Sequence, residues 1–397
     1  MGLSPHHPSP RISNGSPLLM AARPRLVQAL QQIFCAPPSQ AAPPQPGEAL
    51  DPAGLIQAIR RHRLALVLWA AAPSLRWPAE TLAALREEAR QQQRAALPLI
   101  ADTLEVVAAL ERSGLRTLLL KGPALALQTT GQPWSRGGGD IDVLVAPADL
   151  PRAVAVLEGL GYARPPGQFP RRLGSFWGRY SRWACHELPL KRGGRWLDLH
   201  WFPSSVRAPL PCFEALWHER QMLQLNRQPA ATLGLEHAFR HCCLHAACDQ
   251  WMELRQLVDL THLAALLPAA SGARLRQLSS VRQSCAAAHA ATGASHLLAF
   301  SDPGSRESRR VVARARWTQE RPPLINAEGP WHPGHWLAAV GHMASLSPSP
   351  LDWLRVVARF SLLPAAFNDP LTGHDRGLAG MLQARWRRLQ ERLRERF

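Results

Sequence analysis

The chain has 397 residues, a formal net charge of +17 and 46% hydrophobic residues. This length suits two domains, or one domain with a helical extension. No apolar run is long enough to span a bilayer, which argues against a membrane-spanning protein. The charge favours an anionic partner, such as nucleic acid, a nucleotide or an acidic protein. Only Lys121 and Lys191 are lysines, a bias towards arginine that is typical of GC-rich genomes, so the charge supports an anionic partner less than its size suggests.

The seven cysteines are an odd number and follow no signal peptide, so they predict reduced thiols in a cytoplasmic protein. Residues 1–48 predict disorder and a linker, with one possible helix over residues 24–35 and a possible true start at Met20. Residues 49–113 predict a helical segment that supports a sheet. One helix is expected around residues 55–68, and others on the two sides of Pro98, where proline breaks or kinks the chain.

The next stretch predicts a strand, a turn, a short helix and a second strand. The apolar run at residues 115–120 ends at Lys121-Gly122-Pro123, and three glycines at 137–139 lead into the apolar run at 141–145. Asp140 and Asp142 share one face of this second strand, since side chains alternate between the faces. Two neighbouring carboxylates repel each other, and a bound divalent cation relieves that repulsion; oxygen ligands suit Mg²⁺.

A helix is expected over residues 150–160, followed by a loop-like, basic segment over residues 164–183. Its arginines alternate with aromatic residues, a pattern that either clamps phosphates and stacks bases or belongs to a surface loop whose aromatics pack on the sheet. The residues concerned are Phe169, Arg171, Arg172, Phe176, Trp177, Arg179, Tyr180, Arg182 and Trp183.

A hairpin is predicted next, with strands at residues 186–190 and 195–201 joined by a turn at 191–194. Asp198 lies between Leu197 and Leu199, and a charge in so apolar a strand requires a partner. Glu187 on the opposing strand is a second candidate carboxylate. His200 shares the face of Asp198, where it either contacts substrate or orients the aspartate.

Two helices with a break at residues 249–252 are expected after residue 232. The first carries His237, His241 and His245 on one face with Cys248 close by, which leaves a zinc site as an alternative, although paired short spacings are lacking. We expect a helical domain over residues 229–300 and a basic helical extension over residues 301–397 that ends in an arginine-rich helix from residue 376.

Several of these features occur in a characteristic order: Lys121-Gly122, Leu125, Arg136, Asp140–Val145, residues 157–162 and the Asp-Leu-His-Trp run from Asp198. The set resembles the nucleotidyltransferase superfamily with the polymerase-β-like fold, and within it a largely uncharacterised bacterial family. The resemblance implies an α+β fold, in which a mixed sheet flanked by helices forms a core over residues 114–228.

The resemblance also implies roles for individual residues. Asp140, Asp142 and Asp198 would be catalytic and would bind Mg²⁺ or Mn²⁺. Lys121, Gly122 and Arg136 would bind the nucleotide, and Glu187, His200 and Arg255 would be accessory. Arg255 would either pair with Asp259 or reach a phosphate. The superfamily prefers Gly-Ser where this chain has Gly122-Pro123, so one backbone donor is missing, and Lys121 or Arg136 would replace it.

The implied activity is transfer of a nucleoside monophosphate from an NTP, such as ATP, to an unknown acceptor with release of pyrophosphate. The acceptor would be a small molecule, a peptide or protein, or RNA. One alternative is a non-catalytic protein of the same fold that binds a nucleotide, RNA or a protein partner. Another is a metal-dependent phosphohydrolase.

Overall fold

The computed structural model describes residues 17–35, 52–165, 174–268, 270–320 and 340–362, together with Trp386 and Gln390. The predictions of disorder before residue 17, of a linker at 36–48 and of the arginine-rich C-terminal helix lie outside these ranges. The helices are α1 Pro17–Phe34, α2 Pro52–His62, α3 Ala65–Ala70, α4 Ala79–Arg112, α5 Gly122–Thr130, α6 Leu150–Gly159, α7 Phe176–Ala184, α8 Phe213–His218, α9 Leu235–Cys248, α10 Leu254–Leu266, α11 Ser271–Leu275, α12 Ser279–Thr292, α13 Arg306–Gln319 and α14 Pro350–Leu362.

Six strands form one mixed sheet, as predicted for an α+β fold. They are β1 Thr117–Leu119, β2 Asp140–Val145, β3 Glu187–Arg192, β4 Arg195–His200, β5 Gln221–Leu225 and β6 Gln228–Thr232. Their order is β3-β4-β2-β1-β6-β5, with β2 parallel to β4 and β1 parallel to β6. The other neighbours are antiparallel.

The two faces of the sheet bury different sets of helices. On one face Val143 and Leu199 join a core with residues of α4 and α6. On the other face Leu118 and Leu144 join a larger core with residues of α9, α10 and α12. Helices α1 to α3 join the larger core, whereas the later part of α4 packs with α6 on the first face, so side chains that alternate along a strand enter different environments.

The prediction of separate helices on the two sides of Pro98 was wrong, because α4 runs through this proline for 34 residues. Proline inside a helix removes one hydrogen bond and costs roughly 3 kcal/mol. Buried residues before and after it, including Leu85 and Leu110, supply packing that offsets this cost. The expected single helix at residues 55–68 is instead α2 and α3, separated at Arg63, whose φ is +53°.

Other local predictions also needed correction. Part of the expected loop at 164–183 is α7, which Ser175 caps by accepting a hydrogen bond from the N–H of Gly178 at 3.0 Å. Tyr180 and Trp183 pack against the core, which favours the interpretation that these aromatics cover the sheet.

The β5–β6 hairpin was not predicted. Its turn contains Asn226 and Arg227, both with positive φ, and arginine is unusual there.

Towards the C-terminus, the break between α9 and α10 confirms the predicted pair of helices. Within the expected helical region, α11 and α12 are followed by a short 3₁₀ turn, and α13 lies in the segment that was predicted to be a basic helical extension. Helix α1 begins at Pro17, within the stretch expected to be disordered. Among the described residues, no helix has the length and apolar character needed to cross a membrane.

Candidate active site

The register of the parallel strands β2 and β4 places Asp142 beside Asp198. Residues paired in this way point to the same face of the sheet, so the two carboxylates lie next to each other. Both residues are buried, with 6% and 2% of their surface exposed. Their neighbours along the strands, Val143 and Leu199, point to the opposite face and into the apolar core. Strand alternation therefore turns the two carboxylates away from the core that β2 and β4 form with α4 and α6.

Two basic groups contact Asp142. The Nε2 atom of His200 lies 3.2 Å from its Oδ1 atom, and Nζ of Lys121 lies 3.4 Å from the same oxygen. Burial raises the pKa of Asp142, but the charge of Lys121 and the hydrogen bond with His200 outweigh burial and hold this pKa well below its usual value. Burial likewise lowers the pKa of Lys121, but Asp142 and Asp140 outweigh it and raise that pKa. Both groups are therefore charged at neutral pH.

A chain of buried side chains continues from His200 to the helical C-terminal region. Nδ1 of His200 lies 3.6 Å from Oε2 of Glu187, and Nε2 of His186 lies 3.2 Å from the same oxygen. Arg359 on α14 donates from Nη1 to Nδ1 of His186 at 3.3 Å. Burial lowers the pKa of His186 to about 4 even though Glu187 opposes it. Burial raises the pKa of Glu187, but His186 outweighs it and brings this pKa well below its usual value.

These side chains form two overlapping sets with the spacing of metal ligands. In the first set, one possible ligand atom each from Asp142, Asp198 and His200 lies within 4.8 Å of the others. The second set contains His186, Glu187 and His200 at the same limit. Asp140 is outside both sets among the described residues. It lies two positions before Asp142 on the same face and is partly exposed.

The glycine turn before Asp140 is held by α10. The Nε atom of Arg136 donates to Oδ2 of Asp259 at 2.8 Å, and Nη1 of Arg255 donates to the carbonyl of Gly137 at 3.0 Å. Asp259 thus pairs with Arg136, whereas Arg255 binds backbone. A Cβ at Gly138 would lie 2.9 Å from the side chain of Leu99, so a larger residue there would require Leu99 to shift. Arg136 and Arg255 therefore fix the turn that leads into β2.

Lys121 and Gly122 lie at the junction of β1 and α5. Gly122 has a φ of +58°, a conformation that glycine adopts without strain. Lys121 is the N-cap residue and Pro123 occupies the first turn of this nine-residue helix. The N-terminal end of α5 thus faces the acidic cluster through Lys121, although Pro123 supplies no N–H group.

The C-terminal end of α9 completes the site. His245, Cys248 and Asp249 line a cavity together with Lys121, His186, Glu187, His200, Pro203, Ser204 and Ser205. The alternative zinc site is not supported, because His237 contacts Glu219 at 3.1 Å and His241 contacts the carbonyl of Pro203 at 3.1 Å. Within the described residues, these two histidines do not converge with Cys248 as a set of ligands.

The comparisons with known proteins agree with this geometry. A model of the uncharacterised nucleotidyltransferases matches residues 48–299, which is more than half of the chain. The chain belongs to this nucleotidyltransferase family. Neither the curated proteins nor the solved structures yielded a match. The predicted family is therefore confirmed, and Arg359 comes from a helix beyond the matched range.

Sequence reasoning identified most of the clustered side chains of this nucleotidyltransferase but missed three. His186 stood at the start of a predicted strand beside Glu187, and the adjacent charged pair was the available signal. Asp249 was placed at the break between two helices and noted as a departure from the family pattern, and no role was assigned to it. Arg359 carried no local signal, since it lies 173 positions after His186.

Proposed function

We propose that this nucleotidyltransferase transfers a nucleoside monophosphate from an NTP to an acceptor and releases pyrophosphate. An acceptor oxygen would bond to the α-phosphorus as the bond to the β-phosphate oxygen breaks, and the acceptor would lose its proton to solvent or to a carboxylate. The observation that carries the proposal is the register of β2 and β4, which sets the buried carboxylates of Asp142 and Asp198 side by side.

The cluster fits a divalent cation such as Mg²⁺ or Mn²⁺. Asp142, Asp198 and Glu187 bring three carboxylates to one buried region, where Lys121 contacts Asp142 and His186 contacts Glu187. Gathering carboxylates in a buried region is costly, and a divalent cation would lower that cost. When bound, such an ion neutralises charge on the phosphates. Asp142 and Asp198 would hold it, and Asp140, which is partly exposed at the edge, would contribute where the nucleotide enters.

Nucleotide binding would use the elements around this cluster. Lys121 is charged and lies at the N-terminal end of α5, where phosphate oxygens are favoured. Gly122 allows close approach of the backbone. Arg136 gives only Nε to Asp259, and in the part of the chain that the structure describes its terminal nitrogens make no hydrogen bond, so these donors are available to a phosphate.

The test is incubation with each α-³²P-labelled NTP, Mg²⁺ or Mn²⁺, and a cell extract. We expect a labelled product with the wild-type protein and none with Asp142→Asn. The matched control is Asp149→Asn, which removes a surface carboxylate that pairs with Arg152. The size of the product would assign the acceptor to small molecules, peptides or proteins, or RNA.

Equal labelling by wild-type protein and Asp142→Asn would overturn the proposal. Absence of label with all four NTPs would favour a binding protein instead. In that case RNA affinity that falls with salt and does not change in Asp142→Asn would identify the ligand class.

A further inference from the structure

We propose that Arg63, at the junction of α2 and α3, binds the β- and γ-phosphates of the nucleotide beside Arg136. This role rests on the proposed function and adds a phosphate contact from the N-terminal helices, outside the strands that carry the carboxylates. Two observations support it: Arg63 has a backbone conformation that glycine usually adopts, and three arginines gather at the turn before Asp140.

Helix α2 ends in a Schellman motif, which is a common way to close a helix. The N–H of Leu64 donates to the carbonyl of Ile59 at 3.0 Å. The N–H of Arg63 donates to the carbonyl of Arg60 at 3.1 Å. This pattern puts Arg63 at the left-handed position of the motif, with a φ of +53°. Glycine is favoured at that position, because a Cβ makes the conformation unfavourable.

Other helices of the chain end with the same pair of hydrogen bonds. Helices α4 and α6 have Gly114 and Gly161 at the left-handed position. Helix α9 has Gln250 there, and Oε1 of this side chain accepts a hydrogen bond from Nε of Arg314 at 3.0 Å. The glutamine therefore makes a tertiary contact that glycine could not make. By the same reasoning, we expect the side chain of Arg63 to have a use that offsets its backbone conformation.

Contacts within the protein leave the guanidinium of Arg63 largely available. Its Nε atom lies 3.7 Å from Oε1 of Glu253, which is too long for a hydrogen bond. Within the ranges that the structure describes, this guanidinium donates no hydrogen bond, and 34% of the side chain is exposed. Ion pairs of this kind contribute little to stability. The donors of Arg63 are therefore accessible to a ligand.

The junction that carries Arg63 lies against the glycine turn before β2. A Cβ on Gly137 would lie 3.6 Å from Cδ1 of Leu66, three residues after Arg63. Glu253 is the N-cap residue of α10, and Nη1 of Arg255 in the first turn of α10 donates to the carbonyl of Gly137 at 3.0 Å. Arg63 is therefore held next to the turn that leads into the strand of the carboxylates.

The charges at this turn favour an anion. Burial first, and then the positive charges of Arg136 and Arg63, lower the pKa of Arg255 to about 9. Glu253 raises the pKa of Arg63 more than burial lowers it, and the charge of Asp140 raises it further. Three arginines thus lie close enough to repel one another, and linked phosphates offer several oxygens to guanidinium groups.

The position of these arginines selects the outer phosphates. In the proposed reaction the α-phosphate lies at the buried carboxylates of Asp142 and Asp198. The phosphates beyond it must then extend towards the partly exposed end of β2, where Asp140 and the glycine turn are located. Arg63 and Arg136 would bind the pyrophosphate as it leaves, so that its negative charge is balanced.

Tripolyphosphate with Mg²⁺ is a suitable probe, since it presents linked phosphates without a base. Arg63→Gln removes the charge and introduces a residue that α9 accommodates at the same position of the motif. Titration calorimetry of the full-length protein should show about 10- to 100-fold weaker binding, because charge-assisted hydrogen bonds are lost. Arg63→Lys should restore only part of the affinity, since an ammonium lacks the planar fork of a guanidinium.

Arg227 provides the matched control, because it is another arginine with positive φ and lies in the turn of the β5–β6 hairpin. Arg227→Gln removes the same charge and should leave affinity within about twofold, since exposed charges far from a site are screened. Arg63→Gly should bind tripolyphosphate as weakly as Arg63→Gln but melt at a temperature about 2 °C higher, because glycine relieves the backbone strain.

Equal affinity of wild type and Arg63→Gln, or no binding by wild type, would overturn the proposal. Equal weakening by Arg63→Gln and Arg227→Gln would also overturn it, because net charge would then explain the effect. A lower melting temperature of Arg63→Gln with unchanged affinity would assign Arg63 to its ion pair with Glu253 alone. A melting temperature of Arg63→Gly below that of Arg63→Gln would contradict the strain on which the proposal depends.

The binding measurements are independent of catalysis. Weaker binding by Arg63→Gln in a protein that yields no labelled product would contradict the proposed transfer and leave the phosphate site in place. A labelled product with unchanged affinity in Arg63→Gln would contradict only the role of Arg63.

Discussion

The two faces of β2 and β4 are equally buried and chemically opposite. Val143 and Leu199 are fully buried in an apolar core, and one position earlier on each strand Asp142 and Asp198 are almost as deeply buried on the other face. The apolar face is explained by stability, since burying such side chains contributes roughly 1.5–3 kcal/mol each. The acidic face lowers stability unless its charges are compensated. This contrast is the physical reason for proposing that the acidic face serves function rather than folding.

The sharpest test of this comparison is Asp198→Asn, which preserves shape and removes one charge. We expect at least a 1,000-fold loss of nucleotidyl transfer, about 4 kcal/mol in the activation free energy, because a cation ligand is lost. The free energy of unfolding should change by less than about 1 kcal/mol, since repulsion from Asp142 is also removed. Initial rates and urea denaturation measure the two effects. Loss of folding in this variant would contradict a functional role.

The adjacent substitution, Leu199→Ala, should have the reverse effect. This side chain is fully buried in the apolar core, so its removal should lower the free energy of unfolding by about 3 kcal/mol. Transfer activity per folded molecule should stay within about threefold of wild type. Denaturant unfolding and rates normalised to the folded fraction provide the check. A large loss of activity per folded molecule would show that the two faces are not separable.

The sequence predicted those features of the acidic face that depend on short-range rules. The two-residue period of a strand put Asp140 with Asp142 and Asp198 with His200. It could not reveal that Asp142 and Asp198 are partners, because the register between β2 and β4 depends on packing over more than 50 residues of chain. Arg359 is further still from His186 in sequence. Pro98 misled for the same reason, since tertiary packing outweighed a local preference.

Lys121→Gln should weaken nucleotide binding, because it removes the cationic group at the acidic face. The variant removes the charge beside Asp142 and the proposed phosphate contact, and such charge-assisted contacts contribute roughly 1.5–3 kcal/mol. We expect KM for the NTP to rise about 30-fold. Lys191→Gln is the control, because it alters the other lysine of the chain, which is exposed and lies over the ring of Trp196. Similar changes in KM for both variants would show that Lys121 contributes only general positive charge and makes no specific contact with phosphate.

As the pH falls, titratable groups at the acidic face should lower the free energy of unfolding, whereas the apolar side chains of the other face do not titrate. His186 has a pKa of about 4 when folded against an ordinary value of 6.5, so between these values the unfolded chain binds more protons and stability falls as pH falls. From pH 7 to pH 5 this histidine accounts for a loss of about 2 kcal/mol. Asp142 and Glu187, with lowered pKa values, add losses only below about pH 4.5.

Denaturation of wild type and His186→Gln at both pH values isolates this contribution. The variant should lose about 2 kcal/mol less than wild type, because glutamine has no proton to gain. His62 and His342, whose pKa values burial lowers to about 3 and about 4, add losses of the same sign in both proteins and cancel in the difference. Equal losses of stability in the two proteins would show that His186 does not cause this pH dependence.

Asp140→Asn should have the smallest effect and marks the limit of the acidic face. Asp140 shares the strand and face of Asp142 but is partly exposed and lies outside the sets of possible metal ligands. We expect kcat/KM to fall about tenfold, since one partly exposed carboxylate near the phosphates contributes about 1.4 kcal/mol. Mn²⁺ affinity of the nucleotide-free protein should stay unchanged, whereas Asp198→Asn should lower it. If Asp140→Asn weakens Mn²⁺ binding as strongly as Asp198→Asn, then Asp140 belongs to the buried cluster. In that case Asp140 would bind the cation of the nucleotide-free protein, and not only a cation that enters with the nucleotide.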